Sequence, residues 1–225
     1  MQRRMYISAV LVLVLLAAAI FTGQQRLLTG KAQTSIAISE QVEPRPANWA
    51  QALNPNFNLH QMNDTLYRSA LPRVQDNQWL QQENIQTVIN FYQKPDSLWL
   101  SDSSIEQIQI PLHTDRINDV DVLRALHSIT AAQEKGPVLM HCKHGQNRTG
   151  LIAAMYRVVI EGWSKEAAMA EMQQGFGGEQ RMGGANTYLA NVDIEAMQQT
   201  FASGACSTQW LAWCKVALWF QQYSL

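Results

Sequence analysis

Net charge is nearly absent from this chain: 17 Lys and Arg stand against 18 Asp and Glu in 225 residues, leaving a formal charge of −1 and a pI near 6.5. Without a basic excess there is no sign of a polyanion-binding surface, which argues against nucleic acid as a partner. Cysteine is scarce as well. Cys142, Cys206 and Cys214 are the only three, which allows at most one disulfide. The glycine-rich stretch 175–184 lacks a lysine followed by serine or threonine, so it is not a nucleotide-binding loop. What the chain does have is apolar bulk. At 47% hydrophobic content, 225 residues support one good core and one catalytic domain.

The longest apolar run lies at the N-terminus, where Gln2-Arg3-Arg4 precedes an uncharged stretch over 5–23 rich in Leu, Val, Ala and Ile. It has no polar face, as a buried core helix would. Residues 1–23 therefore read as a signal peptide or membrane anchor. Ala17-Ala18-Ala19 offers a cleavage site and the run is at the short end for a span, so both forms stay open. Either form places the remainder outside the cytoplasm. Residues 24–47 are polar, contain Glu43-Pro44-Arg45-Pro46 and read as a linker; the globular domain is expected over 48–225.

Within that domain, strands are expected over 64–70, 87–91 and 105–110, and a helix over 74–83. A further helix should run from about 119 to Gln133. Strands separated by crossovers in this order predict an α/β domain with a largely parallel central sheet flanked by helices. Further on, 164–173 and 186–201 read as helices, and Trp210, Trp213 and Trp219 form an aromatic stripe that suits core or docking. The glycine-rich 175–184 is a candidate border of the active site. Arg68, in the first strand, reads as a member of a structural ion pair or a surface arginine rather than a substrate contact.

The chain is organised around residues 137–160. Pro137-Val138-Leu139-Met140 reads as a buried strand and 151–160 as an apolar helix, with His141-Cys142-Lys143-His144-Gly145-Gln146-Asn147-Arg148-Thr149-Gly150 at the corner between them. Such a corner holds anions. Gly145 lets the loop curl, the backbone amides of Lys143, His144, Gly145, Gln146, Asn147 and Arg148 point inward, and the Arg148 fork matches two phosphate oxygens. Cys142 at the floor of this cup should ionise below the free-cysteine value of about 8.5 and act as a nucleophile. Thr149 is placed to hydrogen-bond its thiolate.

A phosphate ester also needs its leaving oxygen protonated. The polar loop 112–121 supplies Asp115, Asp119 and Asp121. The last two stand where the next helix starts, which suits first-turn or capping roles, and Asp115 lies earlier in the loop. No metal or cofactor is called for.

The order H-C-x-x-G-x-x-R-T-G, with an acid upstream of the cysteine, resembles the cysteine-based protein tyrosine phosphatases of dual-specificity type. With Leu66-Tyr67-Arg68-Ser69-Ala70-Leu71-Pro72 and the export segment, the similarity is closest to periplasmic members in Gram-negative bacteria linked to biofilm control. That resemblance supports Asp115 as acid. It implies a phosphotyrosine substrate on an envelope protein, with the periplasmic part of a diguanylate cyclase as the suggested partner. A phosphoinositide or inositol phosphate phosphatase is the alternative enzyme, because Lys143 and His144 add charge at the cup. A non-catalytic phosphate-binding module would have no need of Cys142.

Cys206 and Cys214 are a disulfide candidate. In one regular helix they would stand about 12 Å apart, too far to bond, but Gly204 allows the chain to fold back and an oxidising compartment favours the bridge.

Overall fold

The computed structural model describes residues 45–177 and 183–206, within a compact unit that begins at Arg45. The expected signal or anchor segment, most of the linker, the Trp210, Trp213 and Trp219 stripe and Cys214 lie outside the described residues. Among the described residues no helix is long and apolar enough to cross a membrane.

The core is a six-stranded sheet of β1 (Gln51–Asn54), β2 (Leu59–Asn63), β3 (Leu66–Ser69), β4 (Thr87–Asn90), β5 (Glu106–Gln109) and β6 (Val138–His141), in the order β1-β2-β3-β6-β4-β5. The sheet is mixed rather than largely parallel along its whole width. β3, β6, β4 and β5 run parallel, while β1 and β2 add an antiparallel edge. β1 and β2 escape the sequence pattern because β1 is short and mostly exposed, and a register shift between Gln61 and Asn63 breaks the two-residue period of β2.

Six α-helices occur in the described residues: α1 (Asn77–Gln82), α2 (Asp119–Gln133), α3 (Asn147–Val159), α4 (Lys165–Gln174), α5 (Gly183–Asn191) and α6 (Ile194–Ala202). The expected helix over 74–83 is a 3-10 turn, Val74–Asp76, followed by α1. The amphipathic stretch 186–201 is two helices. Asp193 accepts from the Ala196 amide and so starts a new helix where one continuous pattern was expected.

Every residue of β3, β4 and β6 is buried, because both faces of the central strands are covered. Alternate side chains divide between two cores. Leu66, Ile89, Val138 and Met140 meet the helical layer with Leu123, Leu126, Leu151 and Met155, whereas Tyr67, Val88 and Leu139 meet Phe57, Leu80, Trp99 and Leu100 on the other face. This layering fixes the C-terminal end of β6, where the anion-binding corner begins.

Candidate active site

β6 delivers His141 and Cys142 to the edge of the sheet between β3 and β4, and α3 begins five residues later at Asn147. The helix therefore starts inside the signature, four residues earlier than the apolar run alone predicts. No side chain caps it, so the first-turn amides face the loop with the positive end of the helix dipole. Gly145 has φ +71°, and a Cβ there would come within 2.7 Å of Ser69 and Ala70 backbone atoms. Both the left-handed backbone and the close approach of β3 demand glycine.

Cys142 is 2% exposed and carries a free thiol. Burial alone would push its pKa up. The Thr149 hydroxyl and amide, the Arg148 charge and the His144 amide outweigh that and hold the thiol below its ordinary value. The buried Thr149 hydroxyl has no oxygen or nitrogen partner among the described residues, and it is the largest of the influences that lower the thiol. Arg148 Nη1 donates to Gln93 Oε1 at 2.9 Å and to the Phe91 carbonyl at 3.4 Å. Its buried Nε has no hydrogen-bond partner among the described residues, which leaves a donor for a phosphate oxygen.

Behind the nucleophile, buried His141 donates from Nε2 to Asp96 Oδ2 at 3.1 Å. The other Asp96 oxygen accepts from Asn90 and from the Trp99 indole, each at 2.9 Å. Beneath the loop, wholly buried Arg68 donates to the Gly145 carbonyl and stacks over Phe176, 3.2 Å from the ring centre. Arg68 thus departs from both expected roles: it is wholly buried rather than at the surface, and it makes no ion pair among the described residues.

Asp115 stands on an exposed turn, and it lines one cleft with Thr114, Cys142, His144, Gln146, Asn147, Arg148, Gly183 and Gly184, about 320 Å³ in volume. The acid candidate and the nucleophile thus share one cavity. Lys143 is exposed and does not line it, so of the two cationic candidates only His144 faces the cleft. Asp119 and Asp121 sit in the first turn of α2, as expected, but the cap is Asn118, which accepts from the Asp121 amide. Tyr188 donates to Asp119 Oδ1 at 2.7 Å. The ends of the glycine-rich segment border the site. Gln146 donates to the Gly177 carbonyl, and a Cβ on Gly184 would collide with the Thr114 carbonyl.

Sequence reasoning did not find Gln93, Asp96 or the Gly184 contact, because each acts across elements that only the fold brings together. Among the described residues, no group of three or more His, Cys, Asp and Glu could hold a metal.

The profile of the tyrosine phosphatase family matches residues 53–209. The chain belongs to this family. The dual specificity protein phosphatase TpbA of Pseudomonas aeruginosa (strain UCBPP-PA14) is 45% identical over 185 residues, covering 82% of this chain and 85% of that protein. A crystal structure of P. aeruginosa TpbA, a cysteine-to-serine variant in complex with pTyr, aligns with a TM-score of 0.69 at 46% identity, over 70% of this chain and 98% of that one. The inositol diphosphatase DSP3 of Arabidopsis thaliana is 26% identical over 165 residues, 67% of this chain and 77% of that protein. The expectation of a cysteine-based phosphatase of dual-specificity type holds at that level.

Proposed function

We propose that the protein hydrolyses phosphotyrosine on proteins of the bacterial envelope through a phosphocysteine intermediate. The observation that carries this reading is the shared cleft of Cys142, Arg148 and Asp115. The Cys142 thiolate attacks phosphorus in line with the ester oxygen, an S–P bond forms and the P–O bond breaks. Asp115 gives its proton to the departing phenolate, while Arg148 and the loop amides take the charge on the three equatorial oxygens. Asp115, now ionised, accepts a proton from water as that water attacks phosphorus. The S–P bond breaks, and thiolate and inorganic phosphate result; the Thr149 hydroxyl makes the sulfur a better leaving group.

The likeness to TpbA and to its pTyr complex supports a phosphotyrosine substrate. Export to the periplasm with residues 1–23 as signal or anchor, a Cys206–Cys214 disulfide, a role in biofilm signalling and the periplasmic part of a diguanylate cyclase as target belong to the same proposal. They rest on the sequence and its resemblance. A second reading, hydrolysis of inositol phosphates, draws on His144 at the cleft and on the likeness to the plant inositol diphosphatase.

The test is turnover of a phosphotyrosine peptide beside a phosphothreonine peptide and soluble phosphoinositides. Preference for the tyrosine peptide, lost in Cys142→Ser and slowed about 10²-fold in Asp115→Asn, supports the first reading. Preference for the inositol lipids replaces it with the second, and activity that survives loss of Cys142 overturns both.

A further inference from the structure

Arg68 is placed where a cation is costly. The β3–β6 register sets it beside Met140, two residues before the nucleophile. From there its side chain runs beneath the phosphate loop to the Gly145 carbonyl, and Nη2 stands 3.9 Å from where a Cβ on Gly150 in the first turn of α3 would be. That is the positive end of a helix, where a second positive charge is unfavourable. Nε and Nη1 are buried and have no hydrogen-bond partner among the described residues, and the ring of Phe176 closes the underside. A buried guanidinium with two unmet donors and no direct ion pair ordinarily destabilises a fold.

The surrounding charges relieve it only in part. Glu171 is the largest favourable charge on it, ahead of Cys142, but both Glu171 oxygens are engaged by Arg157, at 3.1 Å each, and Oε1 also accepts from the Ala50 amide. Arg157 is further paired with Glu161. Arg45 and Arg157 both repel the Arg68 charge, and burial of His60 pushes its pKa down to about 4, so that it is neutral at pH 7. Desolvation lowers the Arg68 pKa to about 9, a value at which the guanidinium still carries its charge at neutral pH. Besides Glu171, which is shared with Arg157, the anion that favours the Arg68 charge is the Cys142 thiolate at the loop above.

We propose that Arg68 is a second guanidinium of the active site, a positioning and electrostatic residue that acts from beneath the phosphate loop to favour the Cys142 thiolate and hold the Gly145 carbonyl out of the anion cup. Arg148 meets the phosphate from the open side; Arg68 supplies charge through the loop without touching substrate. The proposal rests on Cys142 as nucleophile, but not on which ester is cleaved.

The experiment measures the pH midpoint of Cys142 alkylation by iodoacetate in the full-length protein, with Tm recorded in parallel. Arg68→Gln keeps side-chain donors and removes the charge. It should raise the midpoint by about one pH unit, so that alkylation below both midpoints slows about tenfold. Arg68→Lys keeps the charge and should leave the midpoint within about 0.3 unit of the native value although Tm falls. Phe176→Leu removes the ring that presses the guanidinium against the loop and should shift the midpoint upward by less than Arg68→Gln does, which keeps the test decisive if Arg68→Gln does not fold. An unchanged midpoint in either neutralised or unclamped protein, or an equal rise in Arg68→Lys and Arg68→Gln, would overturn the proposal and leave Arg68 with a packing role. Loss of phosphotyrosine preference with these shifts intact would count against the substrate reading alone.

Discussion

Between residues 141 and 150 nearly every group is fixed from behind, whereas between 112 and 118 the chain is held chiefly at its ends. The phosphate loop follows a fully buried strand, rests on Arg68, is pinned at Gly145 by the backbone of β3, and continues into a helix buried along most of its length. The acid loop is exposed at His113, Asp115, Arg116 and Asn118. Its ties are Leu112 in the core, the Gly184 backbone against Thr114, and the start of α2. A nucleophile whose pKa must be depressed needs an environment that cannot relax, because each dipole that moves away loses its effect on the thiolate. An acid that must give and then take a proton needs solvent access. The two halves of the site therefore fail in different ways when altered.

The largest effect should come from the rigid half. Arg148→Lys keeps the charge but loses the fork that bonds Gln93 and leaves Nε for phosphate. It should lower kcat by about 10³-fold with KM changed little. Steady-state kinetics on a phosphotyrosine peptide check this; a fall confined to KM would mean that Arg148 binds ground state and transition state alike.

The next effect tests the sparse half. Gly184→Ala drives a Cβ into the Thr114 carbonyl and pushes the acid loop, while a Cβ on neighbouring Gly183 meets nothing within 4 Å. Displacing the acid should lower kcat by about 10²-fold, while Gly183→Ala stays near the native rate. Alkylation of Cys142 should be the same in both variants. A change in thiol reactivity in Gly184→Ala would show that the two halves are coupled, and would break the comparison.

This contrast also explains what could be read before the fold was known. The signature residues are local: Cys142, Gly145, Arg148 and Thr149 lie within eight positions, and a buried strand before an apolar helix already implies a corner. Asp115 was separable from Asp119 and Asp121 only by its distance from a helix start, and the resemblance to the phosphatases was needed to favour it. Arg68 carried no such signal. Its neighbours Leu66 and Tyr67 mark a strand, but nothing along the chain says that position 68 lies under a loop 77 residues later. Asp96, in the stretch between two expected strands, is likewise joined to His141 across 45 residues. The antiparallel edge was hidden for a different reason, since strands that are short, polar or bulged lose the period on which the reading depends.

Thr149→Val separates the two influences on the sulfur within the rigid half. The hydroxyl is lost while the backbone amide of residue 149 and the Arg148 charge stay, so the thiol pKa should rise only part of the way toward its ordinary value. Because the thiolate is the reactive form, the acid limb of the kcat/KM profile should move to higher pH, and the rate on its low-pH side should fall. Breakdown of the phosphocysteine should slow about tenfold, since one hydrogen bond to a charged group contributes about 1.5 kcal/mol. Rapid-quench trapping of the intermediate at acid pH would show it accumulating. No accumulation, with the limb shifted, would limit Thr149 to the first step.

The smallest effect should follow Tyr188→Phe, at the far end of the acid loop. Burial, and then the hydrogen bond to Asp119, pushes the Tyr188 phenol well above its ordinary pKa, so at neutral pH it is a donor that anchors α5 to the first turn of α2. Losing that bond should cost about 1 kcal/mol of stability, read as a modest fall in Tm. Turnover should change less than about twofold, because the Tyr188 bond is made to Asp119 and not to Asp115. A drop in kcat comparable to that of Gly184→Ala, with Cys142 alkylation unchanged, would instead mean that the acid is placed from the α2 end of its loop, and that the sparse half of the site is held at Asp119 rather than at Gly184.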